Sequence, residues 1–594
     1  MNVPFYFPTQ SERLFGWLYE PVSPVSQVGL VICKPFGYEA LCAHRSIRAF
    51  GLAAAARGVP ALTFDYTGTG DSVDVDERRD QLELWCQDIV DAVVALRRRT
   101  GVQRVCLLGF RLGALLASLV CARTSVDGLI VIAPIVNGAS YLRELRTIQM
   151  MSSRRVEQST RRAQEGGSGP HAMEVSGYVM SAKTVESLRT VDLAAQGPLP
   201  ISSMLVVDRA GQPTAERWSK ALADAGLKTE YVVLAGFVDM MMTVPQYARV
   251  PHAMIDHVRG WLSDFASEAG SAKEDLIEPI SVVPLSRTLA IAGESVDLGL
   301  IERPVHFGPN SLLFGILTEL PRRAALKGAV VLANAGAAHH VCVGRMYVRL
   351  ARRWARQGYV VLRMDLAGLG DSDTRCGRPE NEVYPPAAVE DLRTATTMLQ
   401  NEYGLSAIAV GGVCSGGFHA LRAAAAGVPV SKIFIVNPDL FFSRNNIGFN
   451  DIQVIEEEVV SARGGWRGFK HEVAKASRVA AERWIELTMF RVMPALRGLA
   501  RLVRLHLPND VGWEFQRLAA RGIDVTLVFA RGEPGIRLLK LQGGDRLERA
   551  GGRFRMYFVD NADHTFSHSV ARAQLEEILS DALFSDRESS GGGE

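Results

Sequence analysis

A cysteine flanked by glycines marks the stretch with the clearest chemical potential. In AVGGVCSGGFHA an apolar run ends, Gly412, Cys414 and Gly416 follow, and a helical pattern begins. A nucleophile on a sharp strand-to-helix turn needs small residues two positions before and after it, because larger side chains would clash. We therefore predict a nucleophile elbow centred on Cys414. Centring it on Ser415 would place Val413 at the first small position, which disfavours the serine as the nucleophile.

An acid and a base follow in the order that such an elbow requires. Glu533 comes after the strand-like run VTLVFA, and His564 comes after RMYFVD. The chain order nucleophile, acid, histidine predicts that His564 accepts the thiol proton and Glu533 orients its ring. The competing base is His568. The structural alternatives are a solvated loop glutamate and a histidine that caps a nearby loop aspartate.

An oxyanion hole needs backbone N–H groups beside the nucleophile. We predict one donor from Ser415 and a second from Ala337 or Gly336, in the segment NAGAA after a core strand. The eight cysteines are scattered without a CxxC pair, which argues against a zinc site and a disulfide framework. We therefore expect neither metal nor cofactor.

The first half of the chain repeats this frame without its chemistry. In CLLGFRLGALLA the nucleophile position holds Arg111, a permanent cation that cannot attack a substrate. Alignment places Gln212 in the acid position and Asp239 in the histidine position, with Asp208 as an alternative acid. We predict a degenerate site, and we take an Arg111–Asp239 ion pair as a hypothesis. We expect this half to support the second half, to provide a binding surface or to mediate dimerisation.

The repeat extends over both halves. LFGWLYEP recurs as LFGILTEL, and ARGVPALTFDYTGTGDS recurs as RQGYVVLRMDLAGLGDS. The second pair aligns Asp65 with Asp365 and the dipeptide 71–72 with 371–372. We interpret the shared DxxGxGDS motif as a structural turn after a core strand. A tandem duplication follows from this alignment.

Apolar runs alternate with amphipathic helical stretches in each half, which predicts a mostly parallel sheet covered on both faces. The predicted fold class is α/β, with two tandem, doubly wound domains that each carry a helical cap insert. The predicted limits are 1–266 for the degenerate domain, 267–288 for the linker, 289–586 for the catalytic domain with a cap at about 441–520, and 587–594 for a disordered tail.

Bulk properties restrict the class of protein. A chain of 594 residues is too long for one core, and 47% hydrophobic with 22% charged residues is ordinary for a globular protein. The net charge of +2 gives no reason to expect nucleic acid. The N-terminal residues lack a basic region followed by an apolar run, so we expect no signal peptide and a cytoplasmic location.

With elbow, acid, histidine and DLAGLGDS in place, the second half resembles the α/β-hydrolase superfamily. Within it, the second half is similar to serine-aminopeptidase-like and exosortase-system-associated hydrolases, which have GxCSG elbows and DHTF histidine loops. The first half is similar to companion proteins with an RLGA elbow. This resemblance implies the α/β-hydrolase fold and acyl-transfer chemistry. Glu533 departs from the more usual aspartate.

The predicted cap is basic and amphipathic, with ten basic and three acidic residues between 463 and 505. Such a cap could receive an acyl ester or thioester carried on coenzyme A or an acyl carrier protein, or contact an anionic membrane surface; an ordinary charged lid is the alternative. We expect a hydrolase or thioesterase that works through a Cys414 acyl-enzyme. The alternatives are an acyltransferase or ester- or amide-forming enzyme of a secondary-metabolite or polysaccharide pathway, and a non-enzymatic scaffold.

Overall fold

The computed structural model describes most of the chain. The described residues are 2–9, 13–22, 25–76, 78–156, 172–269, 295–297, 299–321, 326–438, 511–536, 539 and 553–585.

The chain divides into two compact units. The first comprises Met1–Leu326, Ala337–Glu382 and Phe566–Arg572, and the second comprises Lys327–Gly336, Val383–Thr565 and Ala573–Glu594. The domain limits drawn from the sequence follow the two copies of the duplication instead, and they stay a prediction.

The first copy is built on an eight-stranded sheet. Its strands are β1 (Asn2–Pro8), β2 (Arg13–Tyr19), β3 (Val28–Cys33), β4 (Ala61–Phe64), β5 (Arg104–Phe110), β6 (Gly128–Ile132), β9 (Ser203–Asp208) and β10 (Lys228–Val233), and a separate hairpin contains β7 (Met173–Val175) and β8 (Tyr178–Met180). The sheet order is β1-β2-β4-β3-β5-β6-β9-β10. β1 and β2 are antiparallel additions, and the strands from β4 to β10 in this order are parallel.

Helices cover both faces of this sheet. They are α1 (Tyr38–Ala55), α2 (Gln81–Thr100), α3 (Leu112–Val120), α4 (Gly138–Val156), α5 (Ala182–Thr190), α6 (Pro213–Asp224) and α7 (His252–Ala269). Successive strand residues enter opposite cores: Leu107 and Val131 pack with α2 and α3, whereas Leu108 and Ile132 pack with α1 and α7. Burial on both faces explains why these strands are apolar without alternation, as the sequence predicts.

The second copy repeats this topology. Its strands are β11 (Ser295–Asp297), β12 (Leu300–Phe307), β13 (Leu313–Glu319), β14 (Gly328–Leu332), β15 (Tyr359–Asp365), β16 (Ile408–Val413), β17 (Lys432–Val436), β18 (Asp524–Ala530) and β19 (Phe554–Val559). The order is β11-β12-β13-β15-β14-β16-β17-β18-β19. From β12 onward it matches the first sheet strand for strand, which confirms two tandem copies of one α/β fold.

The helices that the structure describes in the second copy are α8 (Met346–Arg356), α9 (Ala388–Tyr403), α10 (Ser415–Ala425), α11 (Val511–Ala520) and α12 (Ser569–Phe584). α11 falls at the end of the predicted cap range, yet Val511, Phe515 and Leu518 pack into the core formed by β17 and β18. The rest of that range, including the basic residues between 463 and 505, lies outside the described residues. So do most of the predicted linker and the tail.

The DxxGxGDS motif forms the same turn in both copies. The carboxylate of Asp65 accepts the backbone N–H of Asp71, and that of Asp365 accepts the N–H of Asp371. The serine that ends each motif donates to the carbonyl of the first aspartate and accepts an N–H from an antiparallel strand. These bonds give the motif the structural role that the sequence predicts.

A buried histidine joins two of these turns within the first unit. His340 Nδ1 lies 2.8 Å from Asp365 Oδ2, and its Nε2 lies 2.8 Å from Asp71 Oδ2. Burial alone would lower the pKa of His340, but the charges of Asp365 and Asp71 outweigh it and raise the pKa to about 10. Arg363 also contacts Asp71. The histidine is therefore a buried imidazolium between carboxylates.

In the part of the chain that the structure covers, no helix combines the length and apolar character needed to cross a bilayer.

Candidate active site

Cys414 occupies the tight turn between β16 and α10. Its backbone has φ 55° and ψ −117°, a strained conformation for a residue other than glycine. Its N–H donates to the carbonyl of Val436 at 2.8 Å, and its carbonyl accepts the N–H of Phe418 in the first helical turn. Cys414 is half-buried, whereas six of the other seven cysteines are buried and Cys376 is exposed. This is the local geometry predicted for a nucleophile elbow.

The close approach of another loop explains a glycine of the elbow. A Cβ at Gly416 would lie 2.6 Å from the carbonyl oxygen of Ala333 and 2.9 Å from that of Asn334. Both contacts are with backbone, which cannot swing away as a side chain can. Gly412, the other predicted small residue, lies in β16 opposite Ile435 of β17.

Ser415 has a structural role next to the elbow. Its buried hydroxyl accepts the N–H of Gly336 at 2.9 Å and donates to the carbonyl of Asn334 at 3.2 Å. The prediction that Gly336 supplies an oxyanion donor is therefore corrected, because its N–H is already engaged by the serine hydroxyl. The backbone N–H of Ser415 belongs to the first turn of α10, where N–H groups have no acceptor within the helix. The donor roles of Ser415 and Ala337 stay predictions.

Glu533 and His564 meet at the carboxyl ends of β18 and β19. Glu533 ends the turn after β18, and its N–H donates to the carbonyl of Ala530 at 3.1 Å. His564 lies in the loop after β19, and its Nδ1 is 2.5 Å from Glu533 Oε1. The other ring nitrogen, Nε2, is shielded from solvent. The competing base His568 lies at the start of α12, where its carbonyl accepts the N–H of Arg572.

The parallel strands place Cys414, Glu533 and His564 at the same edge of the sheet, each after the carboxyl end of a strand. Cys414 directly follows β16, and β17, β18 and β19 come next in the sheet, each parallel to the strand before it. Asn437, which directly follows β17, bonds to Ala530 at the end of β18 and to the backbone of His564. No sequence motif marks this asparagine. Its position one residue after a core strand was the available signal.

Arg111 takes the same backbone conformation in the first copy, with φ 51° and ψ −115°. Its Nε lies 2.9 Å from Glu39 Oε1 and its Nη2 lies 2.6 Å from Glu144 Oε1. Burial raises the pKa of Glu39, and the positive charge of Arg111 opposes this shift. The hypothesis that Arg111 pairs with Asp239 is wrong, since two glutamates on α1 and α4 hold the guanidinium.

The other aligned positions of the first copy are apart from this cluster. Gln212 is an exposed residue at the start of α6, with no side-chain capping bond. Asp239 is exposed in a short π-helical turn, Val238–Met242. Asp208, the alternative acid, is buried at the end of β9 and accepts the N–H of Arg209. The described geometry of the first copy therefore contains no thiol–histidine–carboxylate arrangement.

One group of side chains has the composition of a metal site. Ligand atoms of His340, Asp365 and Asp371 lie within 4.8 Å of one another. Both nitrogens of His340 are already bonded to carboxylates, and Asp371 is bonded to His44 at 3.0 Å. With both ring nitrogens engaged by carboxylates, His340 has no free lone pair to offer a metal.

Comparison with known proteins identifies the family. The model of the family described as serine aminopeptidase, S33, matches residues 44–212 and 325–480, more than half of the chain. No curated protein matches the chain.

Est1E from Butyrivibrio proteoclasticus, solved with ferulic acid, is 17% identical over 45% of this chain and 99% of its own, with a TM-score of 0.32. An alpha-beta serine hydrolase homologue from Coxiella burnetii is 16% identical over 44% of this chain and 96% of its own, with a TM-score of 0.28. Alpha/beta hydrolase domain-containing protein 10 from mouse is 14% identical over 45% of this chain and 99% of its own, with a TM-score of 0.30.

The family match covers a large part of each copy, and both copies have the sheet order described above. The chain therefore belongs to the serine aminopeptidase S33 family and is a tandem α/β-hydrolase protein.

Proposed function

We propose that the second copy hydrolyses an ester or thioester through an acyl-enzyme on Cys414. The observation that carries this proposal is the 2.5 Å hydrogen bond between Glu533 and His564, in the loops after β18 and β19 of the parallel sheet whose strand β16 leads into Cys414. A carboxylate that accepts from Nδ1–H leaves Nε2 as the basic nitrogen. That is the tautomer a general base requires.

In the acylation step, His564 Nε2 takes the proton of the Cys414 thiol as the sulfur attacks the acyl carbonyl. A carbon–sulfur bond forms, and the carbonyl π electrons move to oxygen. When the tetrahedral intermediate collapses, the bond to the alcohol or thiol leaving group breaks. The imidazolium returns its proton to that leaving group, and Glu533 stabilises the transient charge.

The amino end of α10 supports the negative charge of this reaction. Cys414 is the N-cap residue, so its sulfur and the developing oxyanion are near N–H groups and the positive end of the helix dipole. The Ser415 N–H is the donor nearest in sequence. Deacylation repeats the step with water as nucleophile, which His564 deprotonates, and it regenerates the free thiol.

Steady-state turnover of p-nitrophenyl esters and acyl-coenzyme A thioesters tests this proposal. We expect Cys414→Ala and His564→Ala each to lower kcat/KM by at least about 10³-fold. Cys376→Ala removes an exposed thiol and serves as the control, with unchanged turnover expected. Equal turnover by wild type and Cys414→Ala would overturn the proposal.

A further inference from the structure

Asn437 is a buried amide at the centre of the proposed site. It directly follows β17, is fully buried, and has φ 41°. Asparagine tolerates this left-handed region better than most residues do. Its backbone N–H donates to the carbonyl of Val528 at 2.9 Å, which extends the ladder between β17 and β18. This backbone bond therefore fixes the position of the Asn437 Cα, from which the side chain extends.

The side chain joins the end of β18, which precedes the proposed acid, to the backbone of the proposed base. Its Oδ1 accepts the N–H of Ala530 at 2.8 Å, three residues before Glu533. Its Nδ2 donates to the carbonyl of His564 at 2.8 Å. Only one orientation of the amide satisfies both bonds, because a flipped amide would place donor against donor and acceptor against acceptor. The contact is therefore specific to a side chain that both donates and accepts.

The same segment also contacts the elbow. The carbonyl of Val436, the preceding residue, accepts the N–H of Cys414 at 2.8 Å. Two consecutive residues thus bond to the backbone of the nucleophile, the backbone of the histidine and the strand end before the acid. A displacement of this dipeptide would change the relative positions of all three.

The first copy provides an internal comparison. Ala133 follows β6 as Asn437 follows β17, is buried, and has φ 47°. Its N–H donates to Val207 at 2.8 Å, and Ile132 accepts the N–H of Arg111, so the backbone arrangement is preserved. Only the amide is missing, in the copy that lacks a histidine at the aligned position. The fold therefore accepts alanine at this position, and the amide has a role only in the proposed site of the second copy.

We propose that Asn437 is a positioning residue that fixes the His564 backbone so that the ring stays aligned between Glu533 and Cys414. This inference rests on the proposed function. Asn437 touches neither substrate nor the reacting atoms, so its effect is on the alignment of the imidazole. Misplacing a catalytic group by about 1 Å can cost on the order of 10²-fold in rate.

The test compares wild type with Asn437→Ala, for which Ala133 is the precedent, and Asn437→Gly, which adopts a positive φ without strain. Both are made in a Cys376→Ala background so that the exposed thiol does not react. Circular dichroism and thermal unfolding establish folding. We expect kcat to fall about 10- to 100-fold while KM changes by less than about threefold.

The second readout is the pH dependence of Cys414 alkylation by iodoacetamide, followed by intact mass. An aligned imidazole keeps the thiol reactive well below about pH 8.5, the ordinary thiol pKa, so the variants should move the profile towards that value. A folded variant with wild-type kcat and an unchanged alkylation profile would overturn the inference. Failure of the proposed function is distinguishable from failure of this inference, because in that case His564→Ala would leave both turnover and the alkylation profile unchanged.

Discussion

Cys414 and Arg111 share one backbone conformation, with φ and ψ of 55° and −117° for the cysteine and 51° and −115° for the arginine. The elbow is therefore a property of the fold, which adopts it with a cysteine in one copy and an arginine in the other. In the first copy, the position of the nucleophile is filled by a guanidinium held by Glu39 and Glu144. The same strained turn thus carries a buried guanidinium in one copy and a half-buried cysteine in the other.

Removing Arg111 should destabilise the protein in a pH-dependent way. Arg111→Met leaves Glu39 mostly buried without its counter-charge, and we expect a loss of about 3–5 kcal/mol near neutral pH. The folded-state pKa of Glu39 is raised by burial already, and losing the guanidinium raises it further. A carboxyl with a raised folded pKa favours folding at low pH and loses that stability as pH rises. Urea unfolding at pH 5 and pH 8 measures this, and an equal loss at both would contradict it.

Glu533→Gln should lower kcat by about 10³-fold, because a neutral amide no longer stabilises the imidazolium or fixes its tautomer. The matched control is Arg531→Gln, at the same strand end, whose exposed side chain pairs with Asp560. Surface pairs of this kind contribute little, so we expect its kcat within twofold of wild type. Ester turnover of the three proteins checks the prediction. Equal activity of both variants would remove Glu533 from the mechanism.

The His340 cluster predicts a loss of stability at alkaline pH. The folded pKa of about 10 lies above the ordinary histidine value of about 6.5, so this contribution is complete below about pH 6.5 and is lost as pH rises towards 10. Unfolding free energies of wild type should therefore fall over this range. His340→Gln should be less stable at neutral pH but show a flatter dependence. Parallel profiles for the two proteins would contradict the assignment.

Gly416→Ala should lower both stability and activity, because the new Cβ would lie 2.6 Å from a backbone oxygen. Overpacking of this kind costs about 1–3 kcal/mol. Gly260→Ala is the control, since it lies inside α7 with no atom within 4 Å of the added Cβ. The control should gain about 0.5–1 kcal/mol from helix propensity. Thermal unfolding distinguishes the two, and a neutral Gly416→Ala would contradict the packing described for the elbow.

Much of the fold follows from local patterns in the sequence. Apolar runs separated by turn residues predict the core strands. Because the chain is duplicated, the strand pattern of each half supports the strand prediction for the other. The elbow and the chain order of Glu533 and His564 can be predicted from the sequence, because each depends only on residue type and on position after a predicted strand.

Other features depend on contacts that sequence patterns do not encode. Arg111 pairs with Glu39 of α1 and Glu144 of α4, which are both far from it in sequence. The alignment of the two halves of the chain indicates only Asp239 as a partner. Asn437 looks like an ordinary turn residue before a proline. Its role depends on three backbone groups brought together by the sheet.

The measurement that tests the central claim most directly is the intact mass of the protein after brief incubation with acyl-coenzyme A and p-nitrophenyl ester panels. Cys376→Ala is the background, so that the exposed thiol contributes no adduct. We predict a mass increase equal to one acyl group in place of the thiol hydrogen, and we predict that this increase is lost in Cys414→Ala. An adduct of the same size in Cys414→Ala would contradict an acyl-enzyme on this thiol.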